Sequence, residues 1–203
     1  MRDKLQRINL ELTSRCNYAC VSCPTHELLR GKGSMDVDLY KKLFDEVGND
    51  LERIFLWGYG EPLLHLQIAK MLRYSGDFST RKIMSTTGWR FEDLTDPESL
   101  TCLSELIVSI NGVTPETYAI HQVNGNLEKV IRGIKRVSPI IRDSKTRFIM
   151  QTVAHKENLG ELEMAEDFAR NYGFDMLVIK SFNVMDRKQQ TFDIFVPLGT
   201  PYS

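Results

Sequence analysis

Three observations predict an α/β fold built as an incomplete barrel, an open and curved (β/α)6 sheet. Six segments of strand-like composition, at 7–13, 53–57, 82–86, 105–111, 147–153 and 176–182, recur with helical patterns between them. Such alternation implies parallel strands joined by crossover helices. The first segment alternates Ile8, Leu10 and Leu12 with Asn9, Glu11 and Thr13. A parallel sheet covered by helices is apolar on its outer face, so the polar set belongs to a lumen. Polar residues also gather late in the later strands, with Ser109 and Asn111 opposite Val108 and Ile110, and with Gln151 and Lys180 on strands five and six. In barrels the C-terminal strand ends carry the active site.

Taken in order, strand one runs into Cys16-Asn-Tyr-Ala-Cys20-Val-Ser-Cys23, a stretch of eight residues that holds three of the four cysteines. Iron–sulfur clusters normally take four thiolates, so a loop offering three leaves one iron open. An open coordination position is what separates catalytic from structural zinc sites. A structural zinc knuckle would need a fourth ligand, for which His26 could be offered, but the surrounding chain reads as an enzyme core and not as a small metal-stapled module. Leu39, Leu43, Phe44 and Val47 then share one face of the first helix.

Strand two ends in Gly58-Tyr59-Gly60-Glu61-Pro62. Glycine permits close backbone approach, and a carboxylate at Glu61 suits an ammonium group. His65, beyond the turn, reads as packed or capping. Strand three ends at Ser85 and Thr86. Pro97 after Asp96 marks a helix start, and Cys102, between Leu100 and Leu103, reads as a buried apolar thiol. After strand four, Thr114 is the expected N-cap with Pro115 at the first helical position. His121 and His155 read as surface or loop residues. Asn158 with Glu161 resembles a capping box ahead of the stripe Leu162, Ala165, Phe168 and Ala169. Lys180 has two readings, a lumen base or a salt-bridge partner for Glu11.

At 203 residues the chain suits one sizeable domain. Its 26 Lys plus Arg nearly balance 27 Asp plus Glu, which argues against a nucleic-acid footprint or a polybasic membrane surface. The N-terminal residues carry charges but no apolar run of signal or membrane length, so a cytoplasmic setting with reduced thiols is expected. The last residues, 186–203, contain two prolines and no cysteine. They read as a linker-like tail following a core at 1–185, with no ligands for an auxiliary-cluster domain.

The Cys-x3-Cys-x2-Cys loop after strand one, the Gly-x-Gly-Glu-Pro turn after strand two and Ser109-Ile-Asn-Gly112 after strand four occur in the order of one known family. Together they resemble the radical S-adenosylmethionine superfamily, over about residues 5 to 182. "INLELTSRCNYAC", "GYGEPLLH" and "VSINGVTPETY" look most like members that carry a SPASM or twitch domain. The resemblance implies a partial TIM barrel, the (β/α)6 radical SAM core. It implies that Cys16, Cys20 and Cys23 hold a [4Fe-4S] cluster whose fourth iron chelates S-adenosylmethionine, and that Gly58, Gly60, Glu61, Ser85, Thr86, Ser109 and Asn111 contact that cofactor. Reductive cleavage would give methionine and a 5′-deoxyadenosyl radical that takes hydrogen from a substrate, the electron coming from a donor such as flavodoxin or ferredoxin. Many relatives with the extra domain act on a peptide or protein side chain; the catalytic residues for any substrate are unreadable beyond the lumen candidates Gln151 and Lys180. Tyr59, Thr87, Asn111, Gln122 and Ser22 depart from the usual pattern. Tyr59, Thr87, Asn111 and Gln122 support an alternative reading, a non-catalytic [4Fe-4S] protein for electron transfer or partner docking.

Overall fold

A computed structural model describes residues 6–181. Its six strands, β1 (Arg7–Asn9), β2 (Arg53–Phe55), β3 (Arg81–Thr86), β4 (Glu105–Ser109), β5 (Arg147–Ala154) and β6 (Met176–Ser181), form one sheet in sequence order. Every neighbouring pair is parallel. The sheet is curved and unclosed, as expected, with β1 and β6 at its two edges. The crossovers carry α1 (Val37–Val47), α2 (Ile68–Gly76), the consecutive helices α3 (Pro115–His121) and α4 (Leu127–Arg142), and α5 (Leu162–Asn171). Between β3 and β4 the chain makes only a 3-10 turn at Pro97–Cys102. Among the described residues no helix is long and apolar enough to cross a membrane.

Residues paired across a parallel ladder point to the same face, so the register sorts the two surfaces. Ile54, Met84, Leu106, Val108, Phe148 and Met150 are fully buried and face the helices. The opposite face carries Asn9 beside Phe55, Ser109 beside Gln151, and Val153 beside Lys180. This is the lumen surface that the alternation in strand one predicts. Lys82 is a cation on the buried side, and its Nζ donates to the carbonyls of Ser75 and Phe78 at 3.0 and 2.7 Å. Those oxygens lie at and just beyond the end of α2, where helix carbonyls lack partners and a positive charge is favoured.

Strand ends are shorter than the sequence suggests, for identifiable reasons. Beyond Asn9 the Leu10 amide still reaches Phe55 O, at 2.8 Å, but the chain then turns away. Thr13 instead bridges Ser34, and the Ser14 amide donates to Gly33 O at 2.9 Å. Strand one thereby releases its polypeptide into the cysteine loop. β6 is described from Met176 to Ser181, while residue 182 of the expected strand and the tail expected at 186–203 lie outside the described residues.

Three local expectations need correction. In α1 the buried face is Val37, Tyr40 and Phe44, while Leu39 is 56% exposed. Ring contacts running from Tyr40 through Phe44 to Phe78 centre the helix on those residues and turn Leu39 outward. Pro97 opens a 3-10 segment in place of an α-helix, and Cys102 is half-buried, its Sγ lying where a Cβ on Gly76 would approach to 3.1 Å. The Asn158–Glu161 pair does not cap α5. Asn158 donates to Val153 O in β5 at 2.8 Å, and Glu161 crosses to the start of α3, accepting from the Val113 amide at 2.9 Å and from the Thr114 and Thr117 hydroxyls at 2.7 and 2.6 Å. Thr114 does cap α3 as expected, accepting from the Thr117 amide at 3.3 Å, with Pro115 at the first position.

Candidate active site

Cys16, Cys20 and Cys23 lie on the loop released from β1, all half-exposed and none in a disulfide. Partial burial raises the Cys16 thiol and pushes Cys20 up to about 12, and the nearby sulfurs of Cys16 and Cys23 add to the rise at Cys20. Three thiols gathered on one loop are a set that a cation would organise, because a bound metal deprotonates coordinating thiols. Soft thiolates select iron–sulfur clusters, copper or zinc. The donor set therefore fits a [4Fe-4S] cluster with three protein ligands.

The loop is fixed from two sides. On one side the Gly58–Pro62 turn is pressed against it: the Glu61 amide donates to Arg15 O at 2.8 Å. A Cβ at Gly60 would collide with the Thr13 carbonyl and come within 2.9 Å of Arg15 O, so only glycine permits this approach. On the other side lie the end of α3 and the segment after it. There the Ala19 amide donates to Val123 O at 3.0 Å and the Val21 amide to His121 O at 3.2 Å. Tyr18 packs inward between these supports, 1% exposed, with its hydroxyl 2.9 Å from that of Tyr118 and its ring edge-on to Trp89.

Beside this loop an open cleft of about 360 Å³ is lined by Trp57, Gly58, Gly60, Glu61, Ser85, Thr86, Thr87 and Ser109. The fold thus brings six of the seven expected cofactor residues into one depression at the C-terminal strand ends. Asn111 is the seventh, and it is not in this lining. Its Oδ1 accepts from the Val153 amide at 3.0 Å, so the acceptor expected for a cofactor serves the sheet instead.

Glu61 is held more tightly than a free ammonium acceptor would be. Its carboxylate is 2% exposed and accepts from the Thr86 hydroxyl, from the Thr87 amide at 2.7 Å and from the Leu63 amide at 3.1 Å. Desolvation nonetheless outweighs these bonds and raises its carboxyl above the ordinary carboxylate range. Gln122, one of the departures from the usual pattern, is 1% exposed and turned to β4. Tyr59 donates its amide to Glu11 at 2.8 Å, and its carbonyl accepts from the Thr25 hydroxyl, which in turn lies 2.8 Å from Cys23 Sγ.

The lumen candidates separate. Gln151 is half-buried beside Ser109. Lys180 is exposed on the same face but belongs to the opposite sheet edge from Glu11. Glu11 pairs with Arg30 at 2.6 Å and accepts from Tyr59, which removes the Lys180–Glu11 bridge. His65 is packed as expected, its ring bonded to Met35 O at 2.9 Å and to the Gln67 amide at 3.2 Å. The residues that sequence reasoning missed are on the 118–125 support; a positive φ of 67° at Asn124 and the crowding at Gly125 against the Tyr18 and Tyr118 rings mark it as a specific turn. The Asn124-Gly125 pair was its available signal.

A cysteine triad and a glycine-backed cleft at the open end of a six-stranded half-barrel define a metallocofactor site of the barrel class. Residues 10–169 match the family model described as Radical SAM superfamily, and the chain belongs to that superfamily. Its members use a [4Fe-4S] cluster and S-adenosylmethionine. The chain is 25% identical over 187 residues to a tungsten-containing aldehyde ferredoxin oxidoreductase cofactor-modifying protein of Pyrococcus furiosus, covering 87% of this chain and 51% of that one. It is 30% identical over 138 residues to a probable GTP 3′,8-cyclase of Methanothermobacter marburgensis, covering 66% and 44%. The fold is similar to Streptococcus suis SuiB bound to S-adenosylmethionine, with a TM-score of 0.72, 11% identity and coverage of 89% and 41%; SuiB is also known bound to its precursor peptide SuiA. The chain spans about half the length of the curated relatives it matches.

Proposed function

We propose that the chain is the core of a radical S-adenosylmethionine enzyme. One observation carries the reading: the Gly58–Pro62 turn is bonded directly into the cysteine loop, so that one rigid unit presents three thiolates and the floor of a cleft. Cys16, Cys20 and Cys23 would hold the cluster, and Gly58, Gly60, Glu61, Ser85, Thr86 and Ser109 would bound the cofactor, with Asn111 behind them. When bound, these groups supply reductive cleavage of the sulfonium to methionine and a 5′-deoxyadenosyl radical able to abstract hydrogen. The residues of the chain position and shield. Gly60 allows the turn to touch the loop, Glu61 locks the turn to the end of β3, and the buried tyrosines close the back of the loop against water.

The electron donor is proposed to be a flavodoxin or ferredoxin. A peptide or protein side chain is the proposed substrate class, supported by the likeness of fold to SuiB, and Gln151 and Lys180 stand on the lumen face such a substrate would meet. The setting is proposed to be cytoplasmic, where the thiols stay reduced.

A second reading is favoured by one feature. Glu61, Asn111 and Gln122 spend their polar groups inside the protein, which leaves few side chains for the methionine charges. The alternative is a cluster protein that does not cleave the cofactor. Anaerobic reconstitution with iron and sulfide, followed by a reductant and S-adenosylmethionine, separates the two. Formation of 5′-deoxyadenosine and methionine, lost when all three cysteines are changed to alanine, supports the enzyme. A cluster that forms without cleavage supports the second reading, and equal iron in the triple variant refutes the ligand assignment.

A further inference from the structure

His121 is the last residue of α3, and His155 and Glu157 lie on the loop after β5. The sequence offers no metal spacing here, yet the fold stacks the two imidazoles with centroids 3.3 Å apart and tilted by 31°. One Glu157 oxygen, Oε2, stands 3.1 Å from His155 Nδ1 and 3.3 Å from His121 Nε2. A nitrogen from each ring and a carboxylate oxygen all lie within 4.8 Å of one another. We propose that His121, His155 and Glu157 form a second metal site, distinct from the cysteine loop, that takes a divalent zinc-class ion.

Hydrogen bonding at His155 carries the argument. Its Nε2 is 3.1 Å from the carbonyl oxygen of Asn111, and its Nδ1 is 3.1 Å from the Glu157 carboxylate. A neutral imidazole has one donor and one acceptor. With the proton on Nε2, the Nδ1 lone pair faces a carboxylate oxygen. With the proton on Nδ1, the Nε2 lone pair faces a carbonyl. Either tautomer sets two acceptors against each other, and only a cation or a second proton at Nδ1 removes the conflict. A second proton is opposed by the setting: the side chains of His155 and His121 are only 6% and 11% exposed, and each would place its charge against the other ring.

A metal ion at Nδ1 resolves the arrangement. His155 then donates from Nε2 to Asn111 O, a histidine–carbonyl pair of the kind that fixes the tautomer of metal ligands. The same carbonyl accepts from Asn158 Nδ2 at 3.0 Å, and Asn158 Oδ1 accepts the His155 backbone amide at 2.9 Å, so the backbone that carries the ring is tied to Asn111. The spacing also suits the ion. Zinc bonds of about 2.0–2.1 Å at tetrahedral angles put neighbouring donors roughly 3.3–3.4 Å apart, against the observed 3.1 and 3.3 Å. Two imidazoles and a carboxylate suit zinc and its first-row neighbours, whereas the cysteine loop suits softer centres. Bound there, the ion ties α3, whose last carbonyl accepts from the cysteine loop, to the loop that braces Asn111.

The test uses the protein purified anaerobically with its iron–sulfur cluster reconstituted, so that the cysteine loop is filled, then mixed with one equivalent of zinc and desalted. Elemental analysis reads zinc and iron separately, and zinc-edge X-ray absorption reads the ligands. The expected result is one zinc per chain with scatterers at about 2.0–2.1 Å, the nitrogen and oxygen distance, and not at about 2.3 Å, the sulfur distance. His155→Gln and Glu157→Gln should weaken zinc retention at least tenfold with iron content unchanged, and zinc should raise the melting temperature of the wild type alone. Glu157 is 30% exposed, so its variant carries the test even where loss of His155 impairs folding. No retained zinc, zinc bound only by sulfur, or equal retention in Glu157→Gln would each overturn the site. Iron content and 5′-deoxyadenosine report on the proposed function independently of these readouts.

Discussion

The side-chain amide of Gln122 pairs with the backbone around Asn111 as a neighbouring strand would. Its Oε1 accepts the Asn111 amide at 2.8 Å and its Nε2 donates to Ser109 O at 2.9 Å. β4 is thus completed at its C-terminal end, beside Ser109 in the cleft, by a residue from the end of α3. Removing the amide takes this partner from two partly buried backbone groups. Gln122→Ala is expected to cost roughly 1–3 kcal/mol in urea unfolding. Gln122→Arg, which has no acceptor for the Asn111 amide, should also destabilise; a gain in cofactor affinity without loss of stability would contradict this placement.

Gly60→Ala tests the contact between turn and cysteine loop. The new methyl group would meet the Thr13 and Arg15 carbonyls, which belong to backbone and cannot swing aside. Overpacking of this kind costs typically about 1–3 kcal/mol. The variant should hold less iron after reconstitution and melt earlier, whereas Gly31→Ala, with nothing near its Cβ position, should match the wild type on both measures.

Glu61 should leave a particular mark on the pH dependence of stability. Its carboxyl is raised in the folded protein, chiefly by desolvation. Between the ordinary value of 4.5 and the raised folded one, the folded state binds more protons than the unfolded chain, so this group's contribution improves as pH falls through the folded value. Glu61→Gln removes that dependence. Urea midpoints at pH 7 and pH 5 should show the wild type gaining on the variant at the lower pH.

Glu161 should behave in the opposite sense. Although partial burial pulls its carboxyl upward, the bonds from Thr117, Thr114 and Val113 bring it below 4.5. Its stabilising contribution is complete above that value and is lost as pH falls through the folded one. Glu161→Ala is expected to cost about 1–3 kcal/mol at pH 7, and the gap from wild type should narrow by pH 4.

The physical reasons for these effects differ in how visible they were in the chain. Cys16, Cys20 and Cys23 act through local spacing, so their neighbourhood could be read directly, and the Gly58–Pro62 turn was visible as a turn, although the contacts that require its glycines, with Glu11, Thr13 and Arg15, are tertiary. The cap at Thr114, whose partner is three residues away, could also be read directly. Glu161 and Asn158 carried a local capping signal too, but tertiary partners claimed them: α3 lies 44 to 48 residues from Glu161 in sequence and offers three donors, which outcompetes a single local bond. Leu39 followed the helical period yet faced outward, because period fixes which residues share a face and not which face meets the core.

By itself the sequence determined the alternation of strands and helices, the lumen side of strand one and the residues that offer thiolates, since periodicity and spacing are set within a few residues. Tertiary structure alone decided which polar groups remain available. Gln122, Asn111 and Glu61 are spent on backbone groups far away in the chain, and His121 meets His155 and Glu157 across 34 and 36 residues. Buried donors and acceptors must find partners wherever the fold places them, and a hydrogen-bond partner that distant leaves no trace in local pattern.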